Sequence, residues 1–313
     1  MEKGEWLMSD HTGQALPDYR ILPADVAARM AQIKQRDYVL EVDHVSKVFT
    51  QKRNRTVALD DIEFGVHRRE LVCVVGPSGC GKSTLIRILA GLEDASSGRI
   101  LMDGKPVSGP GSDRGMVFQK YTLFPWLDVC RNVMFGIEMG GVDRLEAQRQ
   151  AMQWLQMIGL EQFATAYPHQ LSGGMQQRVA IARALAASPR VLLMDESFSA
   201  LDAQTRTKMQ NYLMEIWRKI DITIVFITHD LDEAIYLADR ILVLKPHPGR
   251  IEEVIEVPLS RPRRAEQMTS AEFLATKAHL EGLIRSFGTQ DHVDDEDVEI
   301  DLPLLTLVTD KVE

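Results

Sequence analysis

The residues from position 76 to 84 have the types and spacing of a phosphate-binding loop. Glycine lets backbone N–H groups turn toward phosphate oxygens, and the helix that follows directs its positive end to the same point. Lys82 would bind the β- and γ-phosphates of ATP, and the Ser83 hydroxyl would hold Mg²⁺. A glycine-rich turn without a ligand is the alternative. The loop reads Gly76, Pro77, Ser78, Gly79, Cys80, Gly81, Lys82, Ser83 and Thr84, which fits GxxxxGK[ST].

A second group of residues could hold the metal and activate water. The apolar run 191–194 ends in Asp195 and Glu196. Beside a phosphate loop, Asp195 would bind Mg²⁺ directly or through water, and Glu196 would polarise the attacking water as general base. An acidic strand end is commonplace by itself, so this interpretation depends on the loop upstream.

The segment 171–178, which reads LSGGMQQR, places a second anion-binding turn on the same chain. Ser172, Gly173 and Gly174 open a helix, where backbone N–H groups can bind an anion. One ATP does not need two such turns from one chain. The pattern makes sense if this turn covers the γ-phosphate of ATP held by another copy, in a head-to-tail dimer with two ATPs at its interface. A plain helix start is the alternative.

Strands and helices alternate around these motifs. The later apolar runs are nearly continuous, as in parallel strands covered on both faces. The alternation predicts an α/β fold with a doubly wound sheet, into which a largely helical block over about 126–187 is inserted. A helix is predicted over 83–90, and strands over 71–75, 115–118, 191–194, 222–228 and 240–244.

In their order along the chain, the three motifs resemble the ATP-binding subunit of ABC transporters, over about residues 38–287. The resemblance implies ATP hydrolysis by a P-loop NTPase cassette: a mixed sheet with a RecA-like core, an antiparallel β subdomain and an inserted helical subdomain. It implies that Phe49 stacks on adenine and that Gln119 senses the γ-phosphate and Mg²⁺. It also implies that the loop ending at Asp202 crosses the dimer interface, and that His229 contacts the γ-phosphate as a switch.

The sequence departs from this family at one position. The family usually has a proline directly after the glutamate, and this chain has Ser197. Proline would fix φ and remove an N–H, so serine loosens the turn slightly and adds a hydroxyl near the attacking water. We expect hydrolysis to persist, with the effect on its rate left open.

Four segments are predicted along the chain. Residues 1–37 form an N-terminal extension with a weak helical stretch over 24–36, and residues 38–260 form the ATPase domain. A helix with one apolar face lies within 261–287, where docking onto the same domain is favoured over a partner. Residues 288–313 are an acidic tail, expected to be disordered.

Charge and hydropathy narrow the class of protein. The net charge is −9, but the tail alone holds nine acidic residues against one lysine, so the remainder is nearly neutral and has no electrostatic reason to bind nucleic acid.

No run approaches the ~18 apolar residues of a membrane span, and the start has no apolar signal segment. The three cysteines lack metal or disulfide spacing. We expect a cytosolic protein whose membrane contact comes through a partner.

Within the family, the chain resembles importer subunits that dock on separate membrane proteins. It has one cassette, no membrane helix of its own and only 90 positions between Lys82 and Ser172. The segment 121–139 and the PLSRPRR linker resemble the nitrate, sulfonate and taurine subgroup. A non-transport ATPase that acts as an ATP-driven dimerisation switch or regulator is the alternative.

The importer resemblance also implies partners and a location. These are a second copy or a paralogous cassette, membrane permease subunits, and indirectly a solute-binding protein, at the cytoplasmic face of the inner membrane. The permease would dock in an apolar groove, and a simple subdomain core is the alternative for these residues. The groove residues are Phe124, Pro125, Trp126, Leu127 and Val129.

Overall fold

The structure, a computed structural model, describes residues 16–51 and 54–288. Its strands are β1 (Tyr38–Gln51), β2 (Asn54–His67), β3 (Leu71–Val75), β4 (Ser97–Met102), β5 (Lys105–Pro106), β6 (Arg114–Val117), β7 (Val191–Asp195), β8 (Thr223–Ile227), β9 (Arg240–Lys245) and β10 (Arg250–Glu256). Its α-helices are α1 (Ala24–Lys34), α2 (Lys82–Leu89), α3 (Val129–Met139), α4 (Arg144–Met157), α5 (Gly173–Ala186), α6 (Ala203–Lys219), α7 (Leu231–Leu237) and α8 (Ala271–Gly288). Short 3₁₀ turns cover Glu161–Phe163, Pro168–Gln170 and Ala265–Thr269.

The central sheet has six strands in the order β10-β9-β3-β8-β7-β6. Its inner pairs are parallel, and β10 is antiparallel at one edge. All five residues of β3 and of β8 are buried, as their continuous apolar sequences predict for strands covered on both faces. The carboxyl ends of β3, β8, β7 and β6 therefore lie side by side along one edge of the sheet.

Successive residues of β3 divide between two hydrophobic layers. Leu71, Cys73 and Val75 face the layer that includes buried residues of α5, α6, α7 and α8. Val72 and Val74 face the layer that includes α2 and the antiparallel sheet. This division follows from the alternation of side chains along a strand, and it makes β3 the centre of both layers.

The antiparallel sheet has the order β2-β1-β4-β5. It covers α2 and one face of the central sheet. Ala58 and Leu59 of β2 lie next to Gly81 of the phosphate loop. Because β1 pairs with β2, the end of β1 is brought toward this loop. The predicted mixed sheet with an antiparallel subdomain is confirmed.

Helices α3, α4 and α5 lie between β6 and β7 in the chain and have a hydrophobic core of their own. Val133, Leu155 and Val179, one from each helix, are fully buried in it. The predicted inserted helical subdomain is confirmed as part of the fold, while the proposed domain boundaries stay a prediction.

The two terminal helices pack on the same body. Helix α1 buries Val26, Met30 and Ile33, and α8 buries Phe273 and Leu280, the latter two in the layer below the central sheet. The predicted acidic tail and the first part of the N-terminal extension lie outside the described residues. Within the described ranges, no helix combines the length and apolar character that crossing a bilayer requires.

The structure moves some predicted element ends by one residue. The strand predicted over 115–118 is Arg114–Val117, so Gln119 lies in the loop after it rather than at its end. The strand predicted over 222–228 ends at Ile227, although the Thr228 N–H still donates to Val74 O. Strand ends depend on which backbone groups find partners, and sequence patterns do not specify this.

Asp239 holds the amino edge of the central sheet together. Its buried carboxylate accepts hydrogen bonds from Arg261 Nε at 2.8 Å, Arg29 Nη2 at 3.2 Å and Leu71 N at 3.0 Å. Burial opposes ionisation, but the charges of Arg261 and Arg29 outweigh it and hold the pKa of Asp239 below its usual value.

Replacing Asp239 with alanine should lower the free energy of unfolding by about 3–5 kcal/mol, because it leaves buried guanidinium groups without a carboxylate. Because the folded pKa is lowered, the stabilisation is present above the unfolded pKa of about 4 and is lost as pH falls through the folded pKa. Urea denaturation at pH 7 and at acidic pH measures both effects. Asp221→Ala, which removes an exposed pair with Arg68, is the control and should cost less than about 1 kcal/mol. Equal losses in the two variants would contradict this account.

Candidate active site

The phosphate loop connects β3 to α2 and directs its backbone N–H groups inward. Gly81 adopts φ 97°, and a Cβ there would lie 2.6 Å from Leu59 Cδ2 and 2.8 Å from Ala58 O, so only glycine fits. The Lys82 side chain is buried within the loop, where Nζ donates to Gly76 O at 2.7 Å and Pro77 O at 2.9 Å. The loop therefore places an ammonium group and the positive end of α2 at one point.

The remaining candidate residues follow neighbouring strands of the central sheet. Asp195 ends β7 in register with Ile227 of β8, and Ile227 is in register with Val74 of β3. Glu196 and His229 follow β7 and β8, so they lie beside the phosphate loop at the carboxyl edge. The sheet thus brings together residues that are far apart in the sequence.

Glu196 and His229 form a pair. His229 Nδ1 lies 3.2 Å from Glu196 Oε2, with the imidazole more exposed than the carboxylate. Glu196 adopts φ 43°, a conformation that is uncommon for a residue with a side chain, and its N–H donates to Ile227 O at 2.9 Å. A carboxylate held by a neighbouring strand and oriented by an imidazole has the geometry that a general base for water needs.

Asp195 has the surroundings of a cation ligand. Its Oδ1 is buried, and no hydrogen-bond partner for it occurs among residues 16–51 and 54–288. Burial and the charge of Glu196 raise the pKa of Asp195, while Arg87 and Lys82 lower it. A hard cation such as Mg²⁺ takes carboxylate and hydroxyl oxygens, so Asp195 and the exposed Ser83 at the start of α2 fit this metal.

Gln119 is linked to the general-base candidate through a serine. Gln119 Nε2 donates to Ser199 Oγ at 3.3 Å, and Ser199 Oγ donates to Glu196 O at 2.8 Å. The sequence placed Ser199 only in a loop at a dimer interface and missed this link. The one local signal for this link is the second serine of SFSALD, Ser199, which lies three residues after Glu196.

Asp202 caps a helix in the structure. As the N-cap of α6, it accepts a hydrogen bond from Thr205 N at 3.0 Å, and this bond lowers the pKa of Asp202. The carboxylate therefore fixes the point where the loop after Glu196 enters α6. Its predicted role in nucleotide binding stays a prediction.

The Ser172 turn and the phosphate loop have different neighbouring residues. Ser172 is exposed and caps α5 by accepting a bond from Met175 N at 3.4 Å. A Cβ on Gly173 would lie 3.0 Å from Tyr121 Oη, and one on Gly174 would lie 2.7 Å from Thr205 Cγ2. The phosphate loop instead contacts β2 and β9, so the two turns lie at different places on the chain, and binding of an anion by the Ser172 turn stays a prediction.

Phe49 stands near the end of β1 on the antiparallel sheet and is 39% exposed. The Lys47 ammonium lies 4.9 Å from the centre of its ring. An exposed aromatic ring beside a cation suits stacking with a nucleotide base, and this role for Phe49 stays a prediction.

Ser197 differs from its expected environment. The sequence predicts a hydroxyl near the attacking water, whereas the Ser197 side chain is fully buried, and Oγ is without a hydrogen-bond partner in the described part of the chain. Glu196 before it has a positive φ, and Phe198 after it is also fully buried.

The fold and these residues define a P-loop ATPase cassette. The sequence pattern of the ABC transporter family matches residues 59–199. An ABC transporter ATP-binding protein of Methanocaldococcus jannaschii is 50% identical over 257 residues, which cover 81% of this chain and 95% of that protein. The chain therefore belongs to the ABC transporter family, as one of its ATP-binding subunits that hydrolyse ATP.

Relatives with named solutes are also similar. A nitrate import ATP-binding protein of Synechocystis sp. is 50% identical, over 70% of this chain and 83% of its own length. A taurine import ATP-binding protein of Rhizobium johnstonii is 50% identical, over 68% of this chain and 82% of its own length. A solved dimeric ATP-binding cassette in a post-hydrolysis state, bound to ADP and Pi, superposes with a TM-score of 0.62 at 33% identity, covering 70% of this chain and 98% of that one.

Replacing Glu196 with glutamine should lower the rate of ATP hydrolysis at least about 100-fold, because the amide cannot accept a proton from water. ATP affinity should change little, since the phosphate loop is intact. Phosphate release and binding of a fluorescent ATP analogue measure the two quantities. The exposed Glu266→Gln is the matched control and should keep the parent rate. A Glu196→Gln chain with undiminished hydrolysis would remove Glu196 from this role.

Proposed function

We propose that this chain energises the import of a small anion and that it works as one half of a head-to-tail dimer. The observation that carries the proposal is the exposed Ser172 turn, whose glycines lie next to Tyr121 and Thr205, whereas glycines of the phosphate loop lie next to Ala58 and Leu244. Each chain thus offers two incomplete half-sites. Two copies, or one copy and a paralogous cassette, would complete both.

In each half-site, the residues of the carboxyl edge would act on ATP. Lys82 and the loop N–H groups bind the phosphates, and Phe49 stacks on the base. Ser83, Asp195 and Gln119 would hold Mg²⁺, which would supply positive charge to the phosphates of ATP. Glu196, oriented by His229, positions water in line with the γ-phosphate.

The second copy would complete the site with its own turn. The N–H groups at the start of α5, from Ser172 to Gly174, add donors to the γ-phosphate, where charge develops during transfer. The loop that ends at Asp202 lies at the same interface. The link from Gln119 through Ser199 to Glu196 would couple the closing of this interface to the orientation of the base.

An exposed aromatic surface supports docking on a permease. The Trp126 side chain is 70% exposed, and its ring centre lies 5.5 Å from that of Phe124, which is 4.7 Å from that of Phe135. The Arg183 guanidinium lies 5.1 Å from the Phe124 ring centre. A helix of a membrane subunit that lays its apolar face on this groove would follow the motion of the loop after Gln119.

The solute and the location follow from the relatives and the resemblance. Nitrate and taurine are named for relatives at 50% identity, so we propose nitrate, a sulfonate, taurine or a similar small anion. The chain would lie on the cytoplasmic face of the inner membrane, bound to permease subunits that receive the solute from a solute-binding protein. We propose residues 38–260 as the ATPase domain, preceded by an extension and followed by the C-terminal helix and tail.

A mixing experiment tests the head-to-tail arrangement. Lys82→Ala should inactivate the phosphate loop of its own chain, and Ser172→Arg should inactivate the turn that it offers to the other copy. Each variant alone should lose at least about 90% of ATPase activity, because every site contains the defect. In an equal mixture, half of the dimers have one intact site, so about a quarter of the parent activity should return.

The mixing experiment has a matched control and a clear opposite result. Ser112→Arg, at another exposed serine, should keep parent activity. In a mixture with Lys82→Ala, the ATPase activity should not exceed the fraction of sites that have an intact phosphate loop. If the mixture of the Lys82 and Ser172 variants stays as inactive as either variant, the two residues act within one chain and the head-to-tail proposal fails.

Replacing Trp126 with alanine should reduce co-purification with the permease subunits at least about tenfold, because the exposed anchor of the groove is lost. ATP hydrolysis by the isolated chain should stay within about twofold, since Trp126 lies outside the nucleotide site. Affinity purification from membranes that contain both permease subunits measures the first quantity. Leu145→Ala, at an exposed apolar residue on α4, should co-purify like the parent. Parent-level recovery of the Trp126 variant would exclude this groove.

A further inference from the structure

A cavity of about 520 Å³ lies at the amino edge of the central sheet, opposite the nucleotide site. We call it the arginine pocket. Its shared feature is a ring of guanidinium groups from separate parts of the chain. They belong to Arg29, Arg36, Arg69, Arg218, Arg261 and Arg263.

Four chain segments supply the arginines of the arginine pocket. Arg29 comes from α1, Arg69 precedes β3, Arg218 lies at the end of α6, and Arg261 and Arg263 follow β10. Helix α6 has 17 residues, so it is about 25 Å long. It begins at the loop after Glu196 and ends at this pocket, which is therefore separate from the residues that bind ATP.

Positive charge in the pocket exceeds negative charge. The lining carboxylate, Glu215, already pairs with Lys219, with Nζ 2.7 Å from Oε1. Asp239, buried beneath, is engaged by Arg29 and Arg261. Arg36 donates to Arg68 O at 3.1 Å, and Arg69 donates to Ile220 O at 2.9 Å and to Trp217 O at 3.2 Å, so backbone carbonyls hold these two guanidinium groups.

Arg263 shows the effect of this imbalance. Its guanidinium is held by backbone carbonyls, including Tyr236 O at 3.0 Å and Ala238 O at 2.6 Å, rather than by a carboxylate. Burial and the neighbouring Arg261 charge lower the pKa of Arg263 to about 9. A buried cation is normally paired with an anion, and this one is hydrogen-bonded to carbonyl oxygens, while the Asp239 charge acts on it without a direct contact.

The pocket also has an apolar wall. Met214, Trp217 and Pro262 line it, and Trp217 is 5% exposed. Guanidinium groups surround the indole, with Arg261 at 4.4 Å and Arg29 at 5.4 Å from the ring centre. A half-open site with an apolar wall and convergent cations has the form of a small-molecule site.

We propose that the arginine pocket binds a small organic anion that has an oxyanion head, such as a sulfonate or carboxylate, on a short apolar group. The head binds at the open side of the pocket, where Arg36, Arg69 and the exposed Arg218 lie. Arginine suits this role, because its planar group donates two parallel hydrogen bonds to an oxyanion. The apolar group lies against Met214 and Pro262.

Calorimetric titration of the full chain with 1-butanesulfonate tests the proposal. Butanesulfonate should bind with one site per chain and a dissociation constant below about 1 mM. Inorganic sulfate, which lacks the apolar group, and 1-butanol, which lacks the charge, should each bind at least about tenfold more weakly. Lys82→Ala should lose ATP binding but keep butanesulfonate binding, so the outcome is independent of the proposed ATPase site.

A charge reversal locates the site. Arg218→Glu should weaken butanesulfonate at least about tenfold, because it places a carboxylate beside the anionic head. The exposed Arg218 position tolerates this change without loss of fold, which thermal melting checks. Arg144→Glu, at an exposed arginine on α4, is the matched control and should bind like the parent. No butanesulfonate binding, equal binding of sulfate, equal weakening in the control, or displacement by ATP would overturn the proposal.

Discussion

The parallel register of four neighbouring strands is the constraint on which this molecule depends. Strands β3, β8, β7 and β6 end at the same edge, so the four loops that follow them meet although their sequence positions span more than a hundred residues. Strands β3 and β8 and the first four residues of β7 are buried, and a slip in register would expose apolar residues and separate the loops together. The stability of the sheet and the geometry of the nucleotide site therefore depend on the same strand register.

The sequence predicted those parts of the site that a local pattern encodes. The phosphate loop and the acidic end of β7 are each specified within a few residues, because backbone turns and strand ends are local structures. The resemblance to a family gave roles for Glu196 and His229, but the contact between them comes from the structure, since 33 positions separate the two residues and only the sheet brings them together.

Other features depend on contacts that no local pattern contains. The burial of Ser197 depends on how the loop after β7 packs, and the link from Gln119 to Ser199 depends on the path of two loops. The arginine pocket joins residues from both ends of the chain, and the PLSRPRR segment alone indicates only a linker. Each of these features depends on long-range packing, which the spacing of residues in the sequence cannot predict.

The two edges of the central sheet differ in their charged residues. At the carboxyl edge, Asp195 and Glu196 stand beside Lys82, which suits a bound metal and phosphates. At the amino edge, arginines outnumber carboxylates, and Asp239 fixes the start of β3 through Leu71. Helix α6 and strand β3 extend from one edge to the other.

Sedimentation equilibrium of the Glu196→Gln chain tests the central claim most directly, because the slowed hydrolysis preserves ATP during the measurement. The account predicts a monomer without nucleotide and with ADP, and a dimer that retains two ATP molecules when ATP is present. A chain that stays monomeric while ATP fills its phosphate loop would contradict the completion of each site by a second copy.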